Sequence, residues 1–332
     1  MALLDTLESA WYGGGRTPWW TRPLSVLYGA VVRLRSALYR AGMLRSVTLP
    51  VPVIVIGNLS VGGTGKTPLT IAVVDALRQR GYRPGVVSRG YGGTQRGPLL
   101  LDDAPDPALV GDEPCLIHAS GAPVAVGRDR PAAAQLLLDA GCDVVIADDG
   151  LQHYRLARDV EICVIDGVRR FGNRRLLPAG PLREPMSRLR HVDLRVCNDG
   201  AAAEGEYAMR FAGGRVVSLI GDQDSLLQAF AGRRVHAVAA IGNPRRFFES
   251  LRRAGIDAIE HAFADHHRFA PADLDFADDL PLLMTDKDAV KCLDFARPHW
   301  WRVPVRADLP EAFYAALVER IGRAQAARGS LP

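Results

Sequence analysis

The stretch VPVIVIGNLSVGGTGKTPLT (51–70) constrains the fold more than any other part of the chain. Its first half is apolar and rich in β-branched residues, the pattern of a strand buried on both faces. Its second half is glycine, threonine and one lysine, which no hydrophobic core can use. A glycine-rich loop that leaves a buried strand and enters a helix presents successive backbone N–H groups to an anion, helped by the helix dipole. In the P-loop pattern G-x-x-x-x-G-K-[ST] the lysine meets the β and γ phosphates and the hydroxyl residue holds Mg²⁺. Gly65, Lys66 and Thr67 match, whereas Ser60 stands at the first position, with Gly62 and Gly63 supplying the flexibility. Ser60, Val61, Gly62, Gly63, Thr64, Gly65, Lys66 and Thr67 are therefore the candidate phosphate cradle. Pro68 falls in the first helical turn, where a missing N–H is tolerated.

An alternation of strand and helix surrounds this loop. Strands are predicted at 51–57, 85–88, 143–148 and 161–166, with helices at 67–80 and 130–140 and a further strand in HVDLRVCN (191–198). Buried strands separated by helices predict an α/β fold, a parallel sheet of P-loop NTPase type with helices on both faces. Beyond AAAEGE (201–206) a second set begins with RVVSL and RVHAVAAIGNP and closes with a helix from about Glu311. At 332 residues the chain is long enough for two domains. The expected division is 1–205, a helix and the P-loop domain, and 206–332, a smaller α/β domain completing the cleft.

A P-loop needs a carboxylate at the tip of a nearby strand, and DVVIADDG offers Asp148 and Asp149. Transfer to an acceptor hydroxyl needs a base, whereas hydrolysis needs only an oriented water. The candidate bases are Asp112 in VGDEP and Asp265, His266 and His267 in ADHHRF, where a flanking acid can orient an imidazole. MTDKDAVK (284–291) can be read as a nucleotide-base recognition loop or as a helix start capped by Thr285 or Asp286; the cap is the expected reading, with Lys287 unassigned.

Charge is unevenly placed. Residues 1–50 hold six arginines against Asp5 and Glu8, the whole of the net charge of +4. Leu24, Leu27, Val31, Leu34 and Leu38 recur three or four apart between Pro23 and Gly42, an amphipathic helix with arginines on its other faces. Trp11, Trp19 and Trp20 beside Arg16 and Arg22 are the aromatic and cationic mix of a lipid interface. The longest uncharged run there is half of the ~20 residues a bilayer span requires, and no secretory cleavage pattern follows it. The five cysteines are scattered without metal-ligand spacing, which argues against a disulfide framework or a zinc site.

SVGGTGKTP, SRGYGG, VGDEP, DDGLQH, LPAGPLREP, the IGNPRRFF region, ADHHRF and MTDKDAVK, in this order, resemble the tetraacyldisaccharide 4′-kinase (lipid A 4′-kinase) family over about residues 10–305. The resemblance implies ATP- and Mg²⁺-dependent phosphorylation of the 4′-hydroxyl of a tetraacylated glucosamine disaccharide 1-phosphate, giving lipid IVA. It implies a glycolipid partner and no nucleic acid, peripheral attachment at the cytosolic face of the inner membrane, and a monomer. Asp112 becomes the expected base with His266 as its partner and Asp265 orienting the imidazole. Thr67 with Asp148 or Asp149 is expected to hold the metal, assisted by Glu113. Arg183 and Glu184 are expected to grip the sugar or its phosphate, with Arg128 and Tyr91 in support. The competing reading is a membrane-associated P-loop switch ATPase of the partition-protein type, but Val61 stands where that class has its signature lysine, and that class has no use for ADHHRF or PLREP.

Overall fold

The apolar run at the start of the motif forms β1 (Val53–Gly57), buried along its whole length. Ile54 and Ile56 face one side of the sheet, Val53 and Val55 the other, so both faces need cover. The structure, a computed structural model, describes residues 2–221 and 223–329. Around β1 lie β2 (Pro84–Ser88), β3 (Leu99–Leu100), β4 (Val124–Val126), β5 (Val144–Ala147), β6 (Val160–Asp166), β7 (Leu194–Asn198) and β8 (Tyr207–Ala212). The strands β9 (Arg215–Ser218), β10 (Asp224–Leu226), β11 (Arg234–Ala239), β12 (Asp257–Ala262), β13 (Leu282–Thr285) and β14 (Trp300–Val303) make a second sheet, and β15 (Arg306–Asp308) rejoins the first. The helices are α1 (Ala2–Tyr12), α2 (Thr21–Arg40), α3 (Lys66–Gln79), α4 (Pro107–Val110), α5 (Asp112–His118), α6 (Arg130–Asp139), α7 (Pro244–Arg253), α8 (Asp286–Ala289) and α9 (Glu311–Gly329).

The large sheet runs β15-β8-β7-β6-β1-β5-β2-β4-β3. It is parallel except at its edges, where β15 and β3 run antiparallel to their neighbours. Leu69, Val73 and Leu77 of α3 cover the Ile54 face, and Ala133, Ala134 and Leu137 of α6 cover the Val53 face. The register Val55↔Ala147 brings the residue after β5, Asp148, level with the end of β1. The phosphate loop and the paired aspartates therefore share the carboxyl end of the sheet, where ligands of such folds bind. The second sheet runs β10-β9-β14-β13-β11-β12, parallel from β14 to β12.

The expected division at residue 205 does not follow the sheets. Past that point β8 still pairs in parallel with β7, Val196 opposite Tyr207, and β15 pairs with β8. The terminal helix α9 sets Phe313, Leu317 and Ile321 into the core of the large sheet, not the small one. Only the chain between Ala212 and Arg306 builds the second sheet. An apolar stripe announces that a helix must be covered, but not by which sheet.

The helix foreseen at the N-terminus is α2. It seats Ser25, Tyr28 and Gly29 inward: the Ser25 hydroxyl donates to the Leu176 carbonyl at 2.8 Å and the Tyr28 hydroxyl to the Arg183 carbonyl at 2.9 Å. Its stripe of Leu24, Leu27, Val31 and Leu34 faces outward. Trp11 departs from expectation, being buried with its indole N–H donated to the Pro178 carbonyl at 3.0 Å, whereas Trp19 is 82% exposed. Among the described residues no helix is long and apolar enough to cross a membrane. All five cysteines are buried and free.

Candidate active site

The phosphate loop is held from outside. The Val61 N–H donates to the Pro181 carbonyl at 2.8 Å and the Arg183 N–H to the Leu59 carbonyl at 2.7 Å, so LPAGPLREP lies alongside it. Gly65 ends the loop at φ 88°, where an added Cβ would lie 2.4 Å from the Asn198 amide nitrogen; both conditions require glycine. That amide, at the tip of β7, donates to the Thr64 carbonyl at 2.8 Å and accepts from Arg246 of α7 at 3.2 Å. Neither Asn198 nor Arg246 stood out in the sequence, where IGNPRRFF marked only a region.

Lys66 begins α3 with its ammonium 3.5 Å from Asn58 Oδ1 and 3.7 Å from Asp149 Oδ1. Thr67 follows it, half-buried. Asp148 is fully buried, its Oδ1 accepting from the Thr70 hydroxyl at 3.0 Å and its Oδ2 left without a hydrogen-bond partner. Burial, reinforced by the charges of Glu113 and Asp149, pushes its carboxyl up to about 7 against the opposing pull of Lys66 and Thr70. Asp149 goes the other way: burial raises it, but Lys66 and Arg183 together hold it below the usual carboxylate range. Arg183 reaches both oxygens of Asp149 at 3.1 Å, and the buried Arg130 donates to the Asp149 carbonyl at 2.9 Å.

Asp112 opens α5 directly after Gly111, whose φ of 94° and 2.4 Å approach of an added Cβ to the Tyr91 carbonyl leave no room for another residue. His266 arrives from the second sheet, Nδ1 lying 3.1 Å from Asp112 Oδ2, although 154 residues separate the two. His266 sits at φ 61°, a conformation a non-glycine residue holds only when its surroundings impose it. Asp265 Oδ1 is 3.9 Å from His266 Nε2, and Tyr91, two-thirds exposed, meets the imidazole edge-on at 5.3 Å between centroids. Thr285 caps α8, as expected, by accepting from the Asp288 N–H. The short helix delivers Lys287 to within 3.4 Å of Glu113 Oε1, and the turn that follows it brings Lys291 to within 3.8 Å of Asp112 Oδ2. Burial pushes the Asp112 carboxyl up, but the His266 hydrogen bond and the charges of Lys291 and Lys287 outweigh it and leave it below its ordinary value. In the sequence Lys291 stands out only as one of three lysines in the chain, with nothing to name Asp112 as its partner.

The remaining candidates divide. Arg128 stands exposed just beyond β4. Glu184 does not face the opening: it is 2% exposed, accepts from Gln152 at 3.0 Å and from the Tyr154 hydroxyl, and has Arg188 at 3.8 Å. His267 turns away to Asp273 at 3.1 Å. Gly242 closes the arrangement, since a Cβ there would lie 3.6 Å from the Gly63 nitrogen, so the second sheet meets the tip of the phosphate loop.

Strand, glycine-rich loop, helix and adjacent buried carboxylate define a P-loop protein, and an acid backed by a histidine at the mouth of that loop is the equipment of a kinase. Residues 17–322 match the family model for tetraacyldisaccharide-1-P 4′-kinase. The chain is 51% identical to the tetraacyldisaccharide 4′-kinase of Stenotrophomonas maltophilia, covering 94% of this chain and 96% of that one. It is likewise 51% identical to the enzyme of the same name from Xanthomonas euvesicatoria, with 96% of each covered. Its fold is similar to that of a crystal structure of LpxK from Aquifex aeolicus in complex with ATP, at a TM-score of 0.76 and 29% identity over 90% of this chain and 97% of that one. The chain belongs to the tetraacyldisaccharide-1-P 4′-kinase family.

Proposed function

We propose that the chain transfers the γ-phosphate of ATP to the 4′-hydroxyl of a tetraacyldisaccharide 1-phosphate, and that Asp112 accepts the proton of that hydroxyl. The 4′ oxygen forms a bond to the γ phosphorus as the bond to the bridging β–γ oxygen breaks, and ADP leaves. The observation that carries this reading is the 3.1 Å contact of Asp112 with His266 at the mouth of the phosphate loop, since a switch that only hydrolyses has no need of an acid backed in this way. Asp112 stays ionised at neutral pH and is free to take a proton.

Lys66 and the loop N–H groups hold the β and γ phosphates. The orphaned Oδ2 of Asp148, whose other oxygen accepts from Thr70 three residues after Thr67 on α3, suits Mg²⁺ with the Thr67 hydroxyl, since the ion takes few protein ligands and completes its shell with phosphates and water. Asp149, already drawn to Lys66 and Arg183, and Glu113, paired with Lys287, would assist from further out. The metal would supply neutralisation of the phosphate charge. Among the described residues no cluster of three or more His, Cys, Asp or Glu forms a ready-made cage. Arg183, Arg128 and Tyr91 surround the opening and suit an anionic sugar, a guanidinium matching a phosphate bidentately. Glu184 acts at one remove, holding Gln152 and Tyr154 in place.

The acceptor is anchored by acyl chains, so the enzyme works at the cytosolic face of the inner membrane as a monomer lying on the lipid. The outward stripe of α2, the exposed Trp19 and the arginines around them supply the contact. Transfer of ³²P from ATP to the disaccharide 1-phosphate in mixed micelles tests the proposal. Labelled 4′-phosphate is expected from the wild type, with losses of roughly 10²–10⁴-fold in Asp112→Ala and Lys66→Ala. ATP hydrolysis that ignores the acceptor and labels no lipid would overturn it.

A further inference from the structure

We infer that Lys287 fixes the tautomer of His266, so that the imidazole donates Nδ1–H to Asp112 and leaves Asp112, not the histidine, to receive the substrate proton. The inference rests on the reading of Asp112 as the base and goes beyond it by assigning a lysine to the site as a positioning residue.

The argument is one of donors and acceptors. An ammonium has three N–H donors and no acceptor. Lys287 Nζ lies 3.4 Å from His266 Nε2, while His266 Nδ1 lies 3.1 Å from Asp112 Oδ2. With the proton on Nε2, that N–H would point at an ammonium and a bare Nδ1 at a carboxylate, so both contacts would repel. A doubly protonated ring would serve Asp112 but oppose two donors at Nε2. Only the neutral ring with its proton on Nδ1 satisfies both neighbours.

The other groups facing the ring leave this unchanged. Asp265 Oδ1, at 3.9 Å from Nε2, is beyond hydrogen-bond reach and nearer to Lys287, at 3.6 Å. Tyr91 presents only a ring edge, and Lys291, 3.8 Å from Asp112 Oδ2, adds positive charge on the carboxylate side. Lys287 is not a loose surface lysine. Glu113 Oε1 at 3.4 Å and Asp265 hold its ammonium, and its side chain is 17% exposed. A single cation thus ties together the second acid of VGDEP and the imidazole that backs the first.

The test is the tautomer itself. Full-length protein carrying ¹⁵N-imidazole histidine, with His266 assigned through its loss in His266→Gln, is examined by long-range ¹⁵N–¹H correlation at about pH 8, above the ordinary imidazole range. The wild type should show a protonated Nδ1 and a bare Nε2. Lys287→Met should move the proton toward Nε2 and lower kcat about tenfold or more with KM for ATP little changed. Lys287→Gln, which keeps a neutral N–H donor, should restore the wild-type pattern. A wild-type ring protonated on Nε2, or a Lys287→Met ring indistinguishable from wild type, would overturn the inference. Should Lys287→Met not fold, the wild-type and Lys287→Gln spectra decide alone. The spectra need no acceptor, so a failure here leaves the transfer assay untouched, and a failure of that assay leaves the tautomer standing.

Discussion

Asp148 is held against its own ionisation. In the folded chain it keeps its proton up to about pH 7, whereas an unfolded aspartate releases it near pH 4. Between those values the folded state binds the extra proton, so stability falls as pH rises and the deficit is complete above pH 7. In EDTA at pH 8, Asp148→Asn should therefore melt above the wild type, the advantage fading below pH 4, while transfer activity is lost; equal melting points at pH 8 would refute this account of the site. Lys291 is the opposite case. Its ammonium lies 2.7 Å from the fully buried Asp288, which also accepts from the Ala240 N–H and the Thr285 hydroxyl. Lys291→Met leaves that carboxylate buried and unpaired, a loss of roughly 3–5 kcal/mol that urea unfolding would register. The sequence displayed Lys66 because no core can use its loop, and Asp112, Asp148 and His266 because their stretches, each also readable as a turn or polar loop, occur together with it in one order. It hid Asn198, whose role exists only through partners brought near by folding, and it showed Lys291 as a rare lysine without its partners.

Among the elements, α2 combines two surfaces. Its inner face grips the carbonyls of Leu176 and Arg183, and Arg35 donates to the Gln152 carbonyl at 2.9 Å, so the helix braces both loops that flank the paired aspartates. Its outer stripe, with Leu27 63% and Leu34 60% exposed, is the surface proposed to meet lipid. Burying one leucine is worth about 1.5–3 kcal/mol. Leu27→Ser with Leu34→Ser should then weaken co-sedimentation with anionic vesicles roughly tenfold or more while leaving ATP binding in solution unchanged; undiminished sedimentation would remove α2 as the contact. The periodicity of the stripe was plain in the sequence, but its direction was not. Burial on the protein side is carried by Ser25, Tyr28 and Gly29, which no apolar pattern reveals. Trp11 shows the same limit, an aromatic whose indole N–H found a carbonyl inside the molecule.

At the scale of the whole molecule, the five central strands β7, β6, β1, β5 and β2 and the helices α3 and α6 could be read from their largely apolar runs, whereas β3 and β4, two and three residues long, were too short to show. The boundary could not, because β8, β15 and α9 look locally like any other edge strands and terminal helix. The pairing of Ala212 with Arg306 puts the two ends of the second sheet's chain side by side on neighbouring strands. The smaller unit is thus an insertion into a complete P-loop domain, entered and left through one doorway. Excising residues 213–305 and joining Ala212 to Arg306 by Asn-Gly would turn the doorway into an ordinary two-residue hairpin. Such a shortened chain should fold and still hold ATP, yet transfer nothing, because His266 and Lys287 leave with the excised piece. On this arrangement the large sheet would grasp the nucleotide, and the guest between its last two strands would make the grasp productive.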